Sequence, residues 1–131
     1  MLGSIAVKDY MSTPPITLTV DMPIMQAIKV LSKNNITGAP VLDLHGNLVG
    51  VLTQKDCLKV ALNASYHGET VGSVKDFMVR EVQTLDTDSS ILDAIEVFIK
   101  FGYHRIPVME DNRLIGVIGQ TDILRAFTQL N

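Results

Sequence analysis

The sequence predicts a mixed α/β fold built from two βαββα repeats that pack about a pseudo-twofold axis. Two observations carry this prediction. The five residues at 7–11 return at 74–78 with one change, a shift of 67 positions, and a fixed period over most of a chain indicates two copies of one supersecondary unit. Within each copy, apolar residues at helical spacing are followed by two short apolar runs around a polar turn, the pattern of a helix and a β-hairpin.

The repeat extends over most of the 131 residues. The same shift maps Pro40 onto Pro107, and after the loss of one residue in the second copy Asp56 maps onto Asp122. Each half is about as long as the smallest self-sufficient domains, so the two are expected to share one core in one compact module. Small and polar residues between them indicate a linker. The predicted parts are repeat 1 at 1–62, the linker at 63–72 and repeat 2 at 73–131.

The elements of each repeat follow from local patterns. A β-prone segment precedes a helix whose apolar residues recur at helical spacing. Pro23 in the first copy and residues 88–90 in the second are typical of helix starts. A hairpin and a last amphipathic helix complete the repeat. For the two copies the predicted elements are strands at 16–20 and 82–85, helices at 24–31 and 91–98, hairpins at 40–52 and 106–118, and helices around 58–62 and 123–127.

Composition and charge argue against several classes of protein. With 47% hydrophobic and 19% charged residues, the chain is typical of a globular protein rather than a disordered one. A net charge of −3 without a basic stripe argues against nucleic-acid binding. No apolar run is long enough to span a bilayer, and the N-terminus lacks signal-peptide features. The single cysteine, Cys57, excludes an internal disulfide. We therefore expect no membrane contact and a cytoplasmic location.

The segments 50–56 and 116–122 each end a strand and open a helix. Such a junction leaves backbone N–H groups free at the positive end of the helix dipole. A hydroxyl and a carboxylate placed there, Thr53 and Asp56 in the first copy, suit the vicinal hydroxyls of a sugar, as an acidic residue does in dinucleotide folds. The same Thr-x-x-Asp spacing also fits a helix-capping box. Taken alone, these residues favour the cap over the ligand site.

His104 and Arg105 form the only adjacent His-Arg pair in the chain. A guanidinium beside an imidazole suits phosphate oxygens, because it gives charge-assisted hydrogen bonds. The alternative is a solvated loop that happens to contain an arginine. The first copy has Thr37 and Gly38 at the matching positions. The two copies are therefore expected to form sites of different charge.

The sequence lends little support to catalysis. Its three histidines are scattered, and no Cys or His cluster has the spacing of metal ligands. No Ser or Cys lies in a nucleophile motif, and no Gly-Lys-Ser/Thr sequence forms a Walker-type loop. We predict no catalytic residue, no metal ligand and no catalytic cofactor.

The doubled β-α-β-β-α order and the Gly-x-x-Thr-x-x-Asp motif together resemble a tandem pair of CBS domains, the family named for cystathionine β-synthase. The resemblance covers roughly residues 7–127 and rests on two copies in register, each with an apolar-Pro-Val strand, a glycine turn and a helix-opening Asp. It implies two repeats with two clefts between them. It further implies an adenosine derivative as ligand: AMP, ADP or ATP, or sometimes S-adenosylmethionine or a dinucleotide.

In such a pair, each cleft takes its ribose-binding Asp from one repeat and much of its adenine pocket from the other. The resemblance thus implies one cleft with Thr53 and Asp56 as ribose ligands, Lys55 at its mouth, and Val82 and Tyr103 lining the base.

The second cleft departs from the family pattern. Gly119 stands where the family usually has Thr or Ser, and we expect the hydroxyl of Thr121 to substitute in part. The phosphate ligands are nevertheless better here than in the first cleft. The residues implied for this cleft are Asp122 and Thr121 at the ribose, Ile16 and Ile36 around the base, and His104 and Arg105 toward the phosphate.

The resemblance implies a stand-alone regulatory module that binds an adenine nucleotide without turning it over. Its signal is expected to pass through a conformational change to a partner, either an effector protein or the second copy of a homodimer. A protein-interaction scaffold with empty clefts is the alternative, in which Asp56 and Asp122 serve only as helix caps. An enzyme that hydrolyses nucleotides is a third and weaker reading, because no base or metal constellation is present.

Overall fold

Each repeat of the sequence folds into a three-stranded sheet with helices in the predicted order. The structure is a computed structural model and describes residues 1–130. The chain divides into two compact units. One spans Ile16–Val82, and the other joins Met1–Pro15 to the chain from Gln83 onward. We call them the Asp56 unit and the Asp122 unit, after the acidic residue in the first turn of the helix that follows each hairpin.

The Asp56 unit has the strand order β1-β2-β3, with β1 parallel and β3 antiparallel to β2. Its core is apolar and centres on buried residues such as Leu18, Val41 and Leu52. The elements are β1 (Leu18–Thr19), α1 (Ile24–Lys33), β2 (Gly38–Leu42), β3 (Leu48–Thr53), α2 (Gln54–His67) and α3 (Val74–Phe77).

The Asp122 unit repeats this topology with the order β4-β5-β6. Its core includes Ile91, Ile106 and Ile118, all fully buried. The elements are two 3₁₀ turns (Leu2–Ser4 and Val7–Asp9), β4 (Leu85–Asp86), α4 (Ile91–Phe101), β5 (Arg105–Glu110), β6 (Arg113–Gly119) and α5 (Gln120–Gln129).

Local chemistry explains where these elements begin and end. The Ser90 hydroxyl accepts a hydrogen bond from the Asp93 amide, and Asp93 accepts one from the Ser90 amide, so a capping box starts α4. The hairpin between β5 and β6 turns through Asp111 and Asn112, with φ of 50° and 65°. Positive φ at both central residues is what a two-residue hairpin turn requires, and Asp and Asn tolerate it.

The repeated segments at 7–11 and 74–78 each pack on the sheet of the other sequence repeat. Val7 is buried in the core of the Asp122 unit, and Val74 in that of the Asp56 unit. Backbone hydrogen bonds in both directions then join Ser12 to Val117 in one unit. The same pattern joins residues 51 and 79 in the other unit. The compact units therefore do not begin and end where the sequence repeats do.

Glycines at the two sheets make this docking possible. A Cβ at Gly116 would lie 2.7 Å from the Ser12 carbonyl oxygen and 2.8 Å from the Met11 sulfur. A Cβ at Gly50 would meet Met78 and the Val79 carbonyl oxygen at 2.7 and 2.8 Å. These distances are too short for any side chain, so each docking segment requires glycine at this point of its sheet.

Two details differ from the predicted bounds of the elements. The parallel strands β1 and β4 are only two residues long, because only those residues pair with the neighbouring strand. The predicted linker at 63–72 is helical as far as His67, and α2 ends only at Gly68, whose φ of 77° suits a C-cap glycine.

The apolar residues expected to anchor the last helix of repeat 1 mostly face solvent. Leu58 and Leu62 are 70% and 56% exposed. The residues of α2 that are buried are Asp56 and Val60, one turn apart. The face of α2 that packs against the core is therefore the one that contains Asp56 and Val60.

We predict that Gly116→Ala lowers the free energy of unfolding by about 1–3 kcal/mol, the usual cost of overpacking, because the added methyl group collides with a backbone carbonyl. Denaturant titration followed by circular dichroism measures the change. Gly3→Ala is the control, since its Cβ would meet nothing closer than Leu92 at 3.8 Å. Equal stability of the Gly116→Ala and wild-type proteins would contradict the docking described above.

Candidate functional site

The start of α2 holds a buried carboxylate between a strand and a helix. Thr53 ends β3 and is the N-cap of α2. Oδ2 of Asp56 accepts hydrogen bonds from the amide and the hydroxyl of Thr53, both at 2.9 Å, and the Asp56 amide donates to the Thr53 hydroxyl at 3.3 Å. The predicted capping box is therefore confirmed. Asp56 is only 5% exposed, yet its other oxygen, Oδ1, accepts no hydrogen bond from the described residues.

Two residues predicted for ligand sites lie around this junction, Lys55 for the cleft with Asp56 and Ile36 for the cleft with Asp122. Gly38 pairs with Thr53 across the hairpin, and the Gln54 amide donates to the Thr37 carbonyl oxygen at 2.9 Å. Ile36, just before Thr37, is half-buried against the core, and Lys55 is exposed in the first turn of α2.

The predicted base-lining residues Ile16 and Val82 are less tightly placed. They are the first and last residues of the Asp56 unit and lie outside its strands and helices. Ile16 is 38% exposed, and Val82 is half-buried.

The start of α5 has the same backbone arrangement with different side chains. Oδ2 of Asp122 accepts a hydrogen bond from the Gly119 amide at 2.8 Å. Because Gly119 has no hydroxyl, the second bond seen at Asp56 is missing. Instead, Oδ1 of Asp122 pairs with Nη2 of Arg125 at 3.1 Å.

The expectation that Thr121 takes over the missing hydroxyl contact has no support in this geometry. Thr121 is exposed, and its hydroxyl makes no hydrogen bond within residues 1–130. Its position in the first turn differs by two residues from the N-cap position that Thr53 occupies in the other unit. Arg125 takes up the second oxygen of the carboxylate instead.

The residues expected at a phosphate group lie next to this junction. Arg105 pairs with Gly119 across the hairpin, and the Gln120 amide donates to the His104 carbonyl oxygen at 3.3 Å. The Gln120 side chain donates to the Tyr103 carbonyl oxygen at 2.6 Å. The side chain of His104 is exposed, whereas Nε of Arg105 is buried without a hydrogen-bond partner among residues 1–130. A buried N–H without an acceptor is unusual in a folded protein.

An aromatic pair lies just before these residues. The rings of Phe101 and Tyr103 stack with centroids 5.5 Å apart and an interplanar angle of 10°. The Lys100 ammonium lies 5.2 Å from the Phe101 ring centroid. Tyr103, which the sequence assigned to the base pocket of the cleft with Asp56, thus belongs to the Asp122 unit.

Arg125 is the residue of this site that the sequence analysis missed. Its position three residues after Asp122 is a spacing at which opposite charges meet on a helix, so the pair was open to prediction. Its second contact, with Tyr10, joins residues 115 positions apart and carries no local signal.

Other features of the described residues bear on the chemistry. Within residues 1–130, no group of three or more His, Cys, Asp or Glu side chains is placed to hold a metal ion. Partial burial raises the pKa of the Cys57 thiol, and the neighbouring charge of Asp56 raises it further. None of the helices in this part of the chain is both long and apolar enough to cross a membrane.

Comparison with known families agrees with the fold. The family model described as CBS domain matches twice, at residues 7–63 and 74–129. The chain belongs to the CBS domain family. Among curated proteins, this CBS pair is 37% identical over 120 residues to the A-adding tRNA nucleotidyltransferase of Aquifex aeolicus. The match covers 92% of this chain but only 14% of that enzyme, so the chain corresponds to a small part of it.

Solved structures of other CBS pairs superpose on nearly the whole chain. CBSX2 of Arabidopsis thaliana, solved in complex with AMP, has a TM-score of 0.84 at 25% identity, with 96% of this chain and 98% of that one covered. The CBS domain pair of protein MJ0100, in complex with 5′-methylthioadenosine and S-adenosyl-L-methionine, has a TM-score of 0.81 at 33% identity, with the same coverage. The predicted mixed α/β fold of two CBS repeats is therefore confirmed.

We predict that Thr53→Ala lowers the free energy of unfolding of this CBS pair by about 1 kcal/mol, the usual cost of removing an N-cap hydroxyl. Thr53→Ser should retain most of the stability, because it keeps the oxygen. Thr121→Ala is the matched control in the other unit, and its effect should stay within about 0.5 kcal/mol. A loss at Thr121 as large as that at Thr53 would show that its hydroxyl does replace the missing contact. Chemical denaturation measures all three variants.

Proposed function

We propose that this CBS pair is a regulatory module that binds an adenosine derivative at the strand-to-helix junctions of its repeats, without chemical turnover. The observation that carries the proposal is the carboxylate at each junction, held by a backbone amide at the first turn of a helix. The AMP, methylthioadenosine and S-adenosylmethionine complexes of related CBS pairs support the ligand class.

The two carboxylates suit the ribose. An ionised carboxylate is an acceptor with about four lone-pair positions, so it accepts from two vicinal hydroxyls while keeping its bonds to the protein. At Asp56, the Thr53 hydroxyl is a second polar group next to the carboxylate, bonded to its Oδ2 and leaving Oδ1 for the ligand. At Asp122 that hydroxyl is absent, which leaves Asp56 as the better ribose ligand of the two.

The Asp122 unit is the better place for a phosphate. Arg105 lies beside the first turn of α5, and its buried Nε lacks an acceptor in the described part of the chain. A phosphate oxygen beside this turn would accept a charge-assisted hydrogen bond from the Arg105 guanidinium, and the exposed side chain of His104 would add a second donor. We therefore propose AMP, ADP or ATP as ligand here, with S-adenosylmethionine or a dinucleotide as the alternatives. The assignment of Ile16, Ile36, Val82 and Tyr103 to base pockets stays a prediction.

A sensor needs two states that bind the ligand unequally, because equal affinity shifts no equilibrium. We propose that the output reaches either an effector protein or a second copy of the chain. Exposed leucines on the two helices that follow the hairpins favour a homodimer: Leu58 (70% exposed) and Leu62 (56%) on α2, and Leu124 (61%) on α5.

The competing proposal is an interaction scaffold whose sites stay empty. One observation favours it, namely that Asp56 and Asp122 both have a structural role as helix caps. Ligand binding in solution separates the two proposals.

We expect AMP, ADP or ATP to raise the melting temperature of the protein. A ligand at 100 times its Kd adds about 2.7 kcal/mol to the stability of the folded state. Differential scanning fluorimetry with these nucleotides, adenosine, S-adenosylmethionine and GMP as a base control measures the effect. If no adenosyl compound shifts the melting temperature, the sensor proposal fails and the scaffold is favoured.

We expect Arg105→Ala to weaken the binding of AMP by about 1.5–3 kcal/mol, the range for hydrogen bonds to charged groups, and that of adenosine much less. Isothermal titration calorimetry with both ligands gives the two changes. Arg113→Ala, on the exposed end of β6, is the charge-matched control. An equal loss for AMP and adenosine would mean that Arg105 does not bind the phosphate.

We expect Leu62→Lys to convert a homodimer into monomers, because a charge would then be buried in an apolar interface. Size-exclusion chromatography with light scattering measures the mass of each variant. Ile99→Lys is the control, since Ile99 is 80% exposed on α4, outside the helices that follow the hairpins. A monomeric wild-type protein would overturn the dimer while leaving ligand binding open to its own test.

A further inference from the structure

One arginine joins the acidic residue of the Asp122 unit to the N-terminal segment. Nη2 of Arg125 pairs with Oδ1 of Asp122 at 3.1 Å and also donates to the Tyr10 carbonyl oxygen at 3.0 Å. The guanidinium carbon lies 5.0 Å from the centroid of the Tyr10 ring, within range of a cation–π contact. The Tyr10 hydroxyl donates in turn to Oε1 of Gln129 at 2.6 Å. Tyr10 is thereby attached to α5 at both its backbone and its side chain.

The other unit lacks this bridge although its backbone is equivalent. The matched residues there are Lys59 in place of Arg125 and Phe77 in place of Tyr10. Lys59 forms no ion pair with Asp56 within residues 1–130, and Asp56 is held by Thr53 instead. The two repeats thus fix the same carboxylate by different means. Among the described residues, only the contact in the Asp122 unit also involves a distant segment, because Arg125 bonds to Tyr10 as well.

A ligand at Asp122 does not need to displace Arg125. Each carboxylate oxygen has about two acceptor positions. The Gly119 amide takes one on Oδ2, and Arg125 takes one on Oδ1. One position on each oxygen remains for a pair of ligand hydroxyls. The ion pair therefore orients the carboxylate in advance, which lowers the entropic cost of binding.

We propose that Arg125 is a positioning residue that couples ligand binding at Asp122 to the docking of the N-terminal segment, residues 7–12. The coupling rests on the proposed function of Asp122 as a ligand-binding residue. An anchored Tyr10 holds Arg125, Arg125 holds Asp122, and the oriented carboxylate binds the ligand more tightly. Because coupling between sites is reciprocal, bound ligand tightens the docking of this segment by the same factor. How firmly the N-terminal segment is docked then reports whether ligand is bound at Asp122.

The link between Asp122 and the segment is tested first without ligand, by amide hydrogen exchange. A half-exposed ion pair and a cation–π contact together predict that Arg125→Met speeds exchange at residues 10–12 by about 3- to 10-fold. Asp122→Asn should speed exchange in the same segment, although it does not touch it. Lys59→Met and Asp56→Asn are the matched controls and should leave residues 10–12 unchanged. Unchanged exchange at 10–12 in both Arg125→Met and Asp122→Asn would overturn the link.

The coupling to ligand is tested with AMP as the probe. We expect AMP to slow amide exchange at residues 10–12 in the wild-type protein. In Arg125→Met, the factor by which AMP slows this exchange should be smaller by about threefold or more. Arg125→Met and Tyr10→Leu should both raise the Kd for AMP several-fold, with Arg125→Lys in between and Lys59→Met unchanged. AMP affinity that is equal in the wild type, Arg125→Met and Tyr10→Leu overturns the coupling. If AMP does not bind the wild-type protein, the same measurements are made with whichever adenosyl compound raises its melting temperature. If none does, the proposed function fails, and the ligand-free experiment still decides whether Arg125 links Asp122 to the segment.

Discussion

A hydrogen bond across the strand-to-helix junction is the interaction on which the candidate site of each unit depends. A carboxylate in the first turn of the last helix accepts from the backbone amide that ends the hairpin, Asp56 from Thr53 and Asp122 from Gly119. This bond sets the residue at which the strand stops and the rotation at which the helix starts. In α2 the consequence is visible along the helix, where Val60 follows Asp56 into the core while Leu58 and Leu62 remain exposed. The carboxylate proposed to bind ligand is thus also part of the fold.

The sheets impose the second constraint. Each sheet carries a glycine where a short segment from the other sequence repeat crosses it, Gly116 beneath residues 11–12 and Gly50 beneath 78–79. The approach is so close that even a methyl group would collide with a carbonyl oxygen. The segments at 7–11 and 74–78 differ at one residue, and each docks beside the equivalent glycine of its sheet. Each compact unit therefore contains one segment from the other sequence repeat.

Duplication leaves two copies that share a backbone but differ in their polar groups. At the Asp56 junction a threonine completes the cap, and Thr37 and Gly38 occupy the positions that hold His104 and Arg105 in the other repeat. At the Asp122 junction glycine stands in place of the threonine, Arg125 pairs with Asp122, and Arg105 lies opposite Gly119 across the hairpin. One junction is therefore richer in hydroxyl groups and the other in cations. Such a difference suits a module that responds to more than one ligand or binds one ligand with unequal affinity.

The amino-acid sequence by itself determined the two CBS repeats, the order of elements, the hairpin turns and the capping at Thr53 and Ser90. These features depend on residues within a few positions of one another, where spacing and side-chain type are sufficient. Only the tertiary structure decided that Arg125 rather than Thr121 completes the Asp122 junction, and that Tyr10 anchors this arginine from 115 positions away. It also decided which apolar residues of α2 are buried, because helix rotation depends on what the first turn contacts. Contacts between residues distant in the chain leave no pattern in a single sequence, so the sequence pointed to the two junctions but not to Arg125 or to its link with Tyr10.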